Sequence, residues 1–173
     1  HCRSLAAEYL PYQSIDKQKW DRCVQQAGNA LIYAESAYLE HMARHWDGIV
    51  WDNYAFVMPV PWKRKMGIRY IYQPAFIQQG GIFGKGPISE EMIREAIAIC
   101  YQNFAFAEGT FNHAHRAIEG KPLQKVMSRN NFILSLDQPH EKLSAKFHTD
   151  ARQSLRKPSM QLLGYQKSTD YKQ

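Results

Sequence analysis

The chain has 173 residues, 45% of them hydrophobic and 13% aromatic, enough to bury a core within one domain and too apolar for a disordered chain. Its formal charge is +6, and its three cysteines (Cys2, Cys23, Cys100) are widely spaced, which argues against a disulfide framework or a zinc ribbon. No apolar run is long enough to span a membrane and HCRSLAAEYLPY at the start lacks a secretory pattern, so the expectation is a cytoplasmic globular protein.

In chain order, DKQKWDRCVQQA (16–27) spaces Trp20, Cys23, Val24 and Ala27 as one face of a helix, with Asp16 as N-cap and Gly28-Asn29 as the stop. ESAYLEHMARHW (35–46) predicts a second helix with Tyr38, Leu39, Met42 and Trp46 on one side. GIVWD (48–52) and YAFVMPV (54–60) are β-rich runs joined by a tight turn at Asp52-Asn53, and IRYIYQ (68–73) follows the polar tip KRKMG. SEEMIREAIAICYQNF (89–104) predicts a helix that buries Met92, Ile93, Ala96, Ile97 and Cys100. FAFAEGTFNHAH (104–115) and NFILSL (131–136) predict strands. HEKLSAKFHTDARQSLRK (140–157) predicts a helix stopped by Pro158, and LLGYQKS (162–168) the start of another strand. The whole is an α+β domain with a mostly antiparallel mixed sheet flanked by helices.

Positive charge is concentrated in two places. Residues 61–86 hold Lys63, Arg64, Lys65, Arg69 and Lys85 with no acidic residue, and residues 142–173 hold seven basic residues against Asp150 and Asp170. Such clusters suit an anionic partner, whether a phosphorylated ligand, a nucleic acid or an acidic lipid, and equally a solvated basic face. PWKRKMGIRYIYQPAFIQQ (61–79) interleaves those cations with Tyr70, Tyr72, Phe76, Gln73, Gln78 and Gln79, a surface for a ligand with planar and phosphate parts. On a strand, Arg69, Ile71 and Gln73 face one way and Tyr70 and Tyr72 the other.

FIQQGGIFGKGPISEEM (76–92) poses a choice. Glycines before a helix start can offer backbone N–H groups to a pyrophosphate. Here Ser89 caps the helix itself, and Glu90 and Glu91 in its first turn repel an anion, so the favoured reading is a capped turn. His41 and His45 have helical i,i+4 spacing but lack the glutamate of H-E-x-x-H, and His113 and His115 share a strand face without further ligands, so no metal is expected. Glu108 and His113 are candidate general bases only by their place near a strand centre, and no catalytic group is singled out.

The order of these features resembles a known family. The W-D-x-x-V helix (Trp20, Asp21, Val24), Tyr33, the helix Tyr38–Trp46 and the strands GIVWD and YAFVMPVPWKRKMGIRYIYQPAFIQQGGIF are similar to the N-terminal half of bacterial GNAT-like proteins of the Fem type. Phe147, Arg152, Leu155, Arg156 and Lys157 fit the family's basic helix before the crossover into a second domain. The resemblance implies a GNAT-like (acyl-CoA N-acyltransferase) fold over residues 1–150, with 151–173 leading towards a second GNAT-like domain or a homo-dimer partner. It implies transfer of an acyl or aminoacyl group to an amine. The acceptor, a small or nucleotide-linked molecule, would meet Lys63, Arg64, Tyr70, Tyr72, Gln73, Gln78 and Gln79, with Arg152 and Arg156 facing the second domain. The acyl-CoA or aminoacyl donor would belong to that second domain, and this half alone would be inactive. The alternatives are a small basic nucleic-acid-binding module and a non-catalytic scaffold of the same fold.

Overall fold

The computed structural model describes residues 6–115, 129–131 and 134–156, which fall into two compact units divided between residues 128 and 129. The predicted strand 162–168, the stop at Pro158 and Lys157 lie outside the described residues.

The first unit is an open, mixed and mostly antiparallel sheet with helices on both faces. Strands β1 (Ala7–Leu10), β2 (His45–Trp51), β3 (Phe56–Lys65) and β4 (Ile68–Ile71) pair antiparallel in that order. Strand β5 (Phe83–Gly84) continues the same edge of β3 that β4 uses, and β6 (Phe106–Ala107) adds parallel to β4. Helices α1 (Lys17–Gln26), α2 (Ser36–Met42) and α3 (Glu90–Asn103) complete it.

Alternation along β2 sorts the core into two layers. Trp46 and Val50 point to α1 and α2, where Trp20, Cys23, Val24, Leu39, Val57 and Phe83 are buried with them. Ile49 and Trp51 point to α3 and pack with Val60, Ile71, Met92, Ile93, Ala96, Cys100 and Phe104. Asp16 caps α1 by accepting from the Lys19 amide, as its sequence position implies. The link from β2 to β3 turns through Asp52, Asn53 and Tyr54, all with positive φ.

Several expectations are corrected. The second helix ends at Met42, because residues from His45 onward pair with β3; Trp46 keeps its place in the core from a strand instead. His41 and His45 therefore lie on different elements. The predicted strand 104–115 shrinks to Phe106–Ala107 plus a single bridge between Phe111 and Gly80, so His113 and His115 share no strand face: His113 is exposed and His115 buried. Lys63, Arg64 and Lys65 stand in β3, and the turn itself is Met66-Gly67.

The second unit holds α4 (His140–Ala145) and α5 (Thr149–Leu155) where one continuous helix was expected. Extended backbone at His148 separates them, and Phe147 bonds back to the Ser144 carbonyl to close the first. The described residues of the predicted strand 131–136 are not in a strand.

Trp20 is fully buried and donates Nε1–H to the Ala34 carbonyl at 2.8 Å. Trp20→Phe keeps most of the packing and strands that carbonyl. It should lower unfolding free energy by about 1–3 kcal/mol, read from urea titration, while the native circular-dichroism spectrum is retained.

Candidate functional site

The glycine segment is stitched into the fold through its own backbone. Gly80 donates to the Thr110 carbonyl (2.6 Å), Ile82 to His115 Nε2 (2.8 Å) and Gly84 to Asn29 Oδ1 (3.4 Å), while the Gly84 carbonyl accepts from Gly28 (3.1 Å). Asn29 returns Nδ2–H to the Ile82 carbonyl (2.8 Å) and Asn112 donates to the Gly80 carbonyl from its amide (3.1 Å) and its side chain (3.0 Å). Gly81 has φ of +99°, and a Cβ there would lie 2.5 Å from His115 Cε1, so only glycine lets the segment pass the ring. At the helix start Ser89 Oγ accepts from the Met92 amide (3.2 Å), and Glu90 pairs with Arg94 at 2.6 Å.

His115 accepts from Ile82, so its Nε2 carries no proton; Nδ1–H faces the Asn112 oxygens. Burial lowers its pKa to about 4, with nearby His113 pushing the same way and the Asn112 backbone opposing.

A second polar cluster lies on the α3 face. Tyr9 Oη donates to Asp47 Oδ2, Arg69 Nη2 donates to the same oxygen (2.9 Å), and the Tyr12 amide donates to Oδ1 (2.9 Å). The Arg69 guanidinium lies over the rings of Trp62 (4.3 Å) and Phe104 (4.7 Å). Burial first, and then the hydrogen bond to Asp47, push the Tyr9 phenol far above its ordinary pKa. With both carboxylate oxygens engaged, Asp47 orients its neighbours and is poorly placed to take a proton from a substrate. Burial pushes the thiols of Cys23 and Cys100 up to about 11, so both are protonated at neutral pH and neither is an activated nucleophile. Among the described residues no three His, Cys, Asp or Glu side chains are grouped to hold a metal, and no helix is long and apolar enough to cross a membrane.

The predicted binding residues divide into three groups. Lys63 and Tyr70 are register partners on β3 and β4; Lys63 Nζ sits 4.0 Å from the centre of the Tyr72 ring, whose hydroxyl accepts from the Arg44 amide (3.0 Å). Arg64 is exposed on the other face of the hairpin, opposite Arg69. Gln73 is structural: it donates to the Ile77 carbonyl and accepts from the Thr110 amide (2.9 Å). Gln78 is exposed and accepts from Tyr33 Oη (3.3 Å), and Gln79 is half-buried beside it in sequence. In the second unit, exposed Arg152 and Arg156 line a shallow hollow of about 350 Å³ with Glu141, Ser144, Phe147 and Leu155.

Sequence reasoning missed Asn29, Asn112, Tyr9 and Asp47. Asp47 carries a readable signal, an acid interrupting an apolar run that proves to be a buried strand. Asn29 read only as a helix stop, and Asn112 gave no local signal. No protein-family profile matches the chain, and no curated protein or solved structure is significantly similar to it.

The histidine makes folding pH-dependent. Its folded pKa lies below the ordinary 6.5, so between pH 6.5 and 4 the unfolded chain binds more protons and stability falls with falling pH. The contribution is on the order of 3 kcal/mol, complete above pH 6.5 and lost towards pH 4. Urea titrations across that window should show a steep slope for the native chain. His115→Gln should start less stable and flatten the slope.

Proposed function

We propose that the chain carries the acceptor-recognition half of an N-acyltransferase-like protein of the GNAT type, acting with an acyl-CoA or aminoacyl donor held by a second domain or a partner. The observation that carries this reading is where the amides go. A pyrophosphate needs unpaired N–H groups at a glycine loop and helix start, whereas those of Gly80, Ile82, Gly84 and Met92 are bonded within the fold. The first turn of α3 adds Glu90 and Glu91, which already answer its dipole.

Cationic side chains on the β3–β4 hairpin support an anionic acceptor. Lys63, with Tyr72 beneath it, and Arg64 on the opposite face flank the same strand. Tyr72 makes a poor stacking platform for a nucleic-acid base, since Lys63 lies over its ring and its hydroxyl accepts from the Arg44 amide.

Calorimetric titration with coenzyme A and with a UDP-linked sugar separates donor from acceptor binding. The sugar nucleotide should bind and weaken about tenfold in Lys63→Ala, the loss of one charged hydrogen bond, and change little in Arg64→Ala, whose side chain lies on the other face. Coenzyme A should give no heat. Tight coenzyme A binding, or sugar-nucleotide binding indifferent to Lys63→Ala, would overturn the reading.

A further inference from the structure

The β3–β4 turn breaks a local rule. Met66 and Gly67 have φ of +50° and +81°, the pair of left-handed residues that a type I′ hairpin turn demands. Asparagine is the favoured partner of glycine there; a long unbranched side chain in that conformation is strained, because its Cβ crowds the following carbonyl oxygen. Met66 is also 92% exposed, so its thioether chain contributes nothing to the core. A residue that costs the turn and packs on nothing within the fold points to a use outside it.

Its surroundings are consistent with one partner. Ile68, the register partner of Lys65, is 57% exposed. Tyr70 pairs with Lys63 on one side and with Phe106 of β6 on the other, and Phe106 is 58% exposed. Register partners share a face, so Ile68, Tyr70, Phe106, Lys63 and Lys65 stand together on one surface of the sheet, ending at Met66. From residue 53 to residue 89 the chain has five basic residues and no acidic one. Glu108, the nearest acid in sequence to β6, follows its end next to Ile71, at the opposite end of β4 from the turn.

We infer that this hairpin docks onto an anionic lipid bilayer, Met66 and Ile68 entering the headgroup layer while Lys63, Lys65 and Arg64 meet lipid phosphates. Apolar side chains within a ring of cations gain on both counts at such a surface. A nucleic acid would reward the cations but not an aliphatic tip. A second copy of the chain would bring like charges together. The inference rests on the turn and the exposed face, and does not depend on the acyltransferase reading.

Flotation of the full chain with phosphatidylcholine vesicles, with and without phosphatidylglycerol, tests it. Binding is expected only with the anionic lipid. It should fall about fivefold in Lys65→Gln, the loss of one cation near the surface. Met66→Asn should abolish most of it while leaving thermal stability unchanged or raised, since asparagine suits the turn. Absence of binding to phosphatidylglycerol vesicles at low salt would overturn the proposal, as would binding unaltered in Met66→Asn combined with Ile68→Thr. Tighter binding to an oligonucleotide than to the vesicles would reassign the surface to nucleic acid.

Discussion

The Ile82 amide lies in a fully buried residue, where a lone N–H would cost about 1–3 kcal/mol. It is answered by the bare nitrogen of the His115 ring, and a ring nitrogen can accept only while unprotonated. That requirement propagates. The proton must sit on Nδ1, so Asn112 must present oxygen there; Asn112 is in turn fixed by Gly80, Ala114 and Asn29. Asn29 joins the end of α1 to β5 through the Ile82 carbonyl and the Gly84 amide. One buried donor thus couples three stretches that are far apart in sequence, and the coupling has a pH limit set by the ring.

Asp47 plays a comparable part elsewhere on the sheet with the opposite charge logic. A buried ion pair is weak evidence for stability, because desolvation offsets much of its attraction. Its clearer effect is geometric: Arg69 leans inward to Asp47 over two aromatic rings, while its register partner Arg64 stays exposed. Two arginines directly opposite would otherwise repel. Removing the Asp47 carboxylate would leave Arg69 facing apolar rings without its counterion, and the hairpin that carries Lys63 and Arg64 would lose its anchor.

Much of this was legible in the sequence where the signal is local. Trp20, Cys23 and Val24 repeat at helical spacing and are buried together; Ser89 and Asp16 cap the helices their positions imply; Asp52-Asn53 turns the chain between β2 and β3. Failures came where tertiary pairing decides. Tyr38, Leu39, Met42 and Trp46 fit one helix by spacing, yet β3 claims His45 and Trp46 as strand, and an inward-facing strand position satisfies Trp46 equally well. The division of 140–155 into two short helices carried no glycine or proline signal at Phe147-His148. The candidate binding residues were grouped by local composition alone, so Gln73 stood with the cations and Tyr72 although its amide bonds within the fold to Ile77 and Thr110. The polar networks were invisible because Asn29 and Asn112, or Tyr9 and Asp47, meet only across the folded chain.

Glycine-rich segments leading into a helix are ambiguous in sequence because the same residues serve two ends, close approach of backbone to a ligand or close approach of backbone to the rest of the protein. What separates them is the fate of the N–H groups. A phosphate cradle keeps its amides unpaired and pre-aligned, so binding is short-ranged and demanding of ligand shape. In this protein the amides of Gly80, Ile82 and Gly84 are spent on Thr110, His115 and Asn29, while the fixed positive charge stands some 20 residues earlier, on long side chains of an exposed hairpin. Recognition through flexible cations acts over a Debye length of about 10 Å at moderate salt and tolerates varied anions. The fold therefore places its rigidity in the glycine segment and its clustered positive charge on β3 and β4.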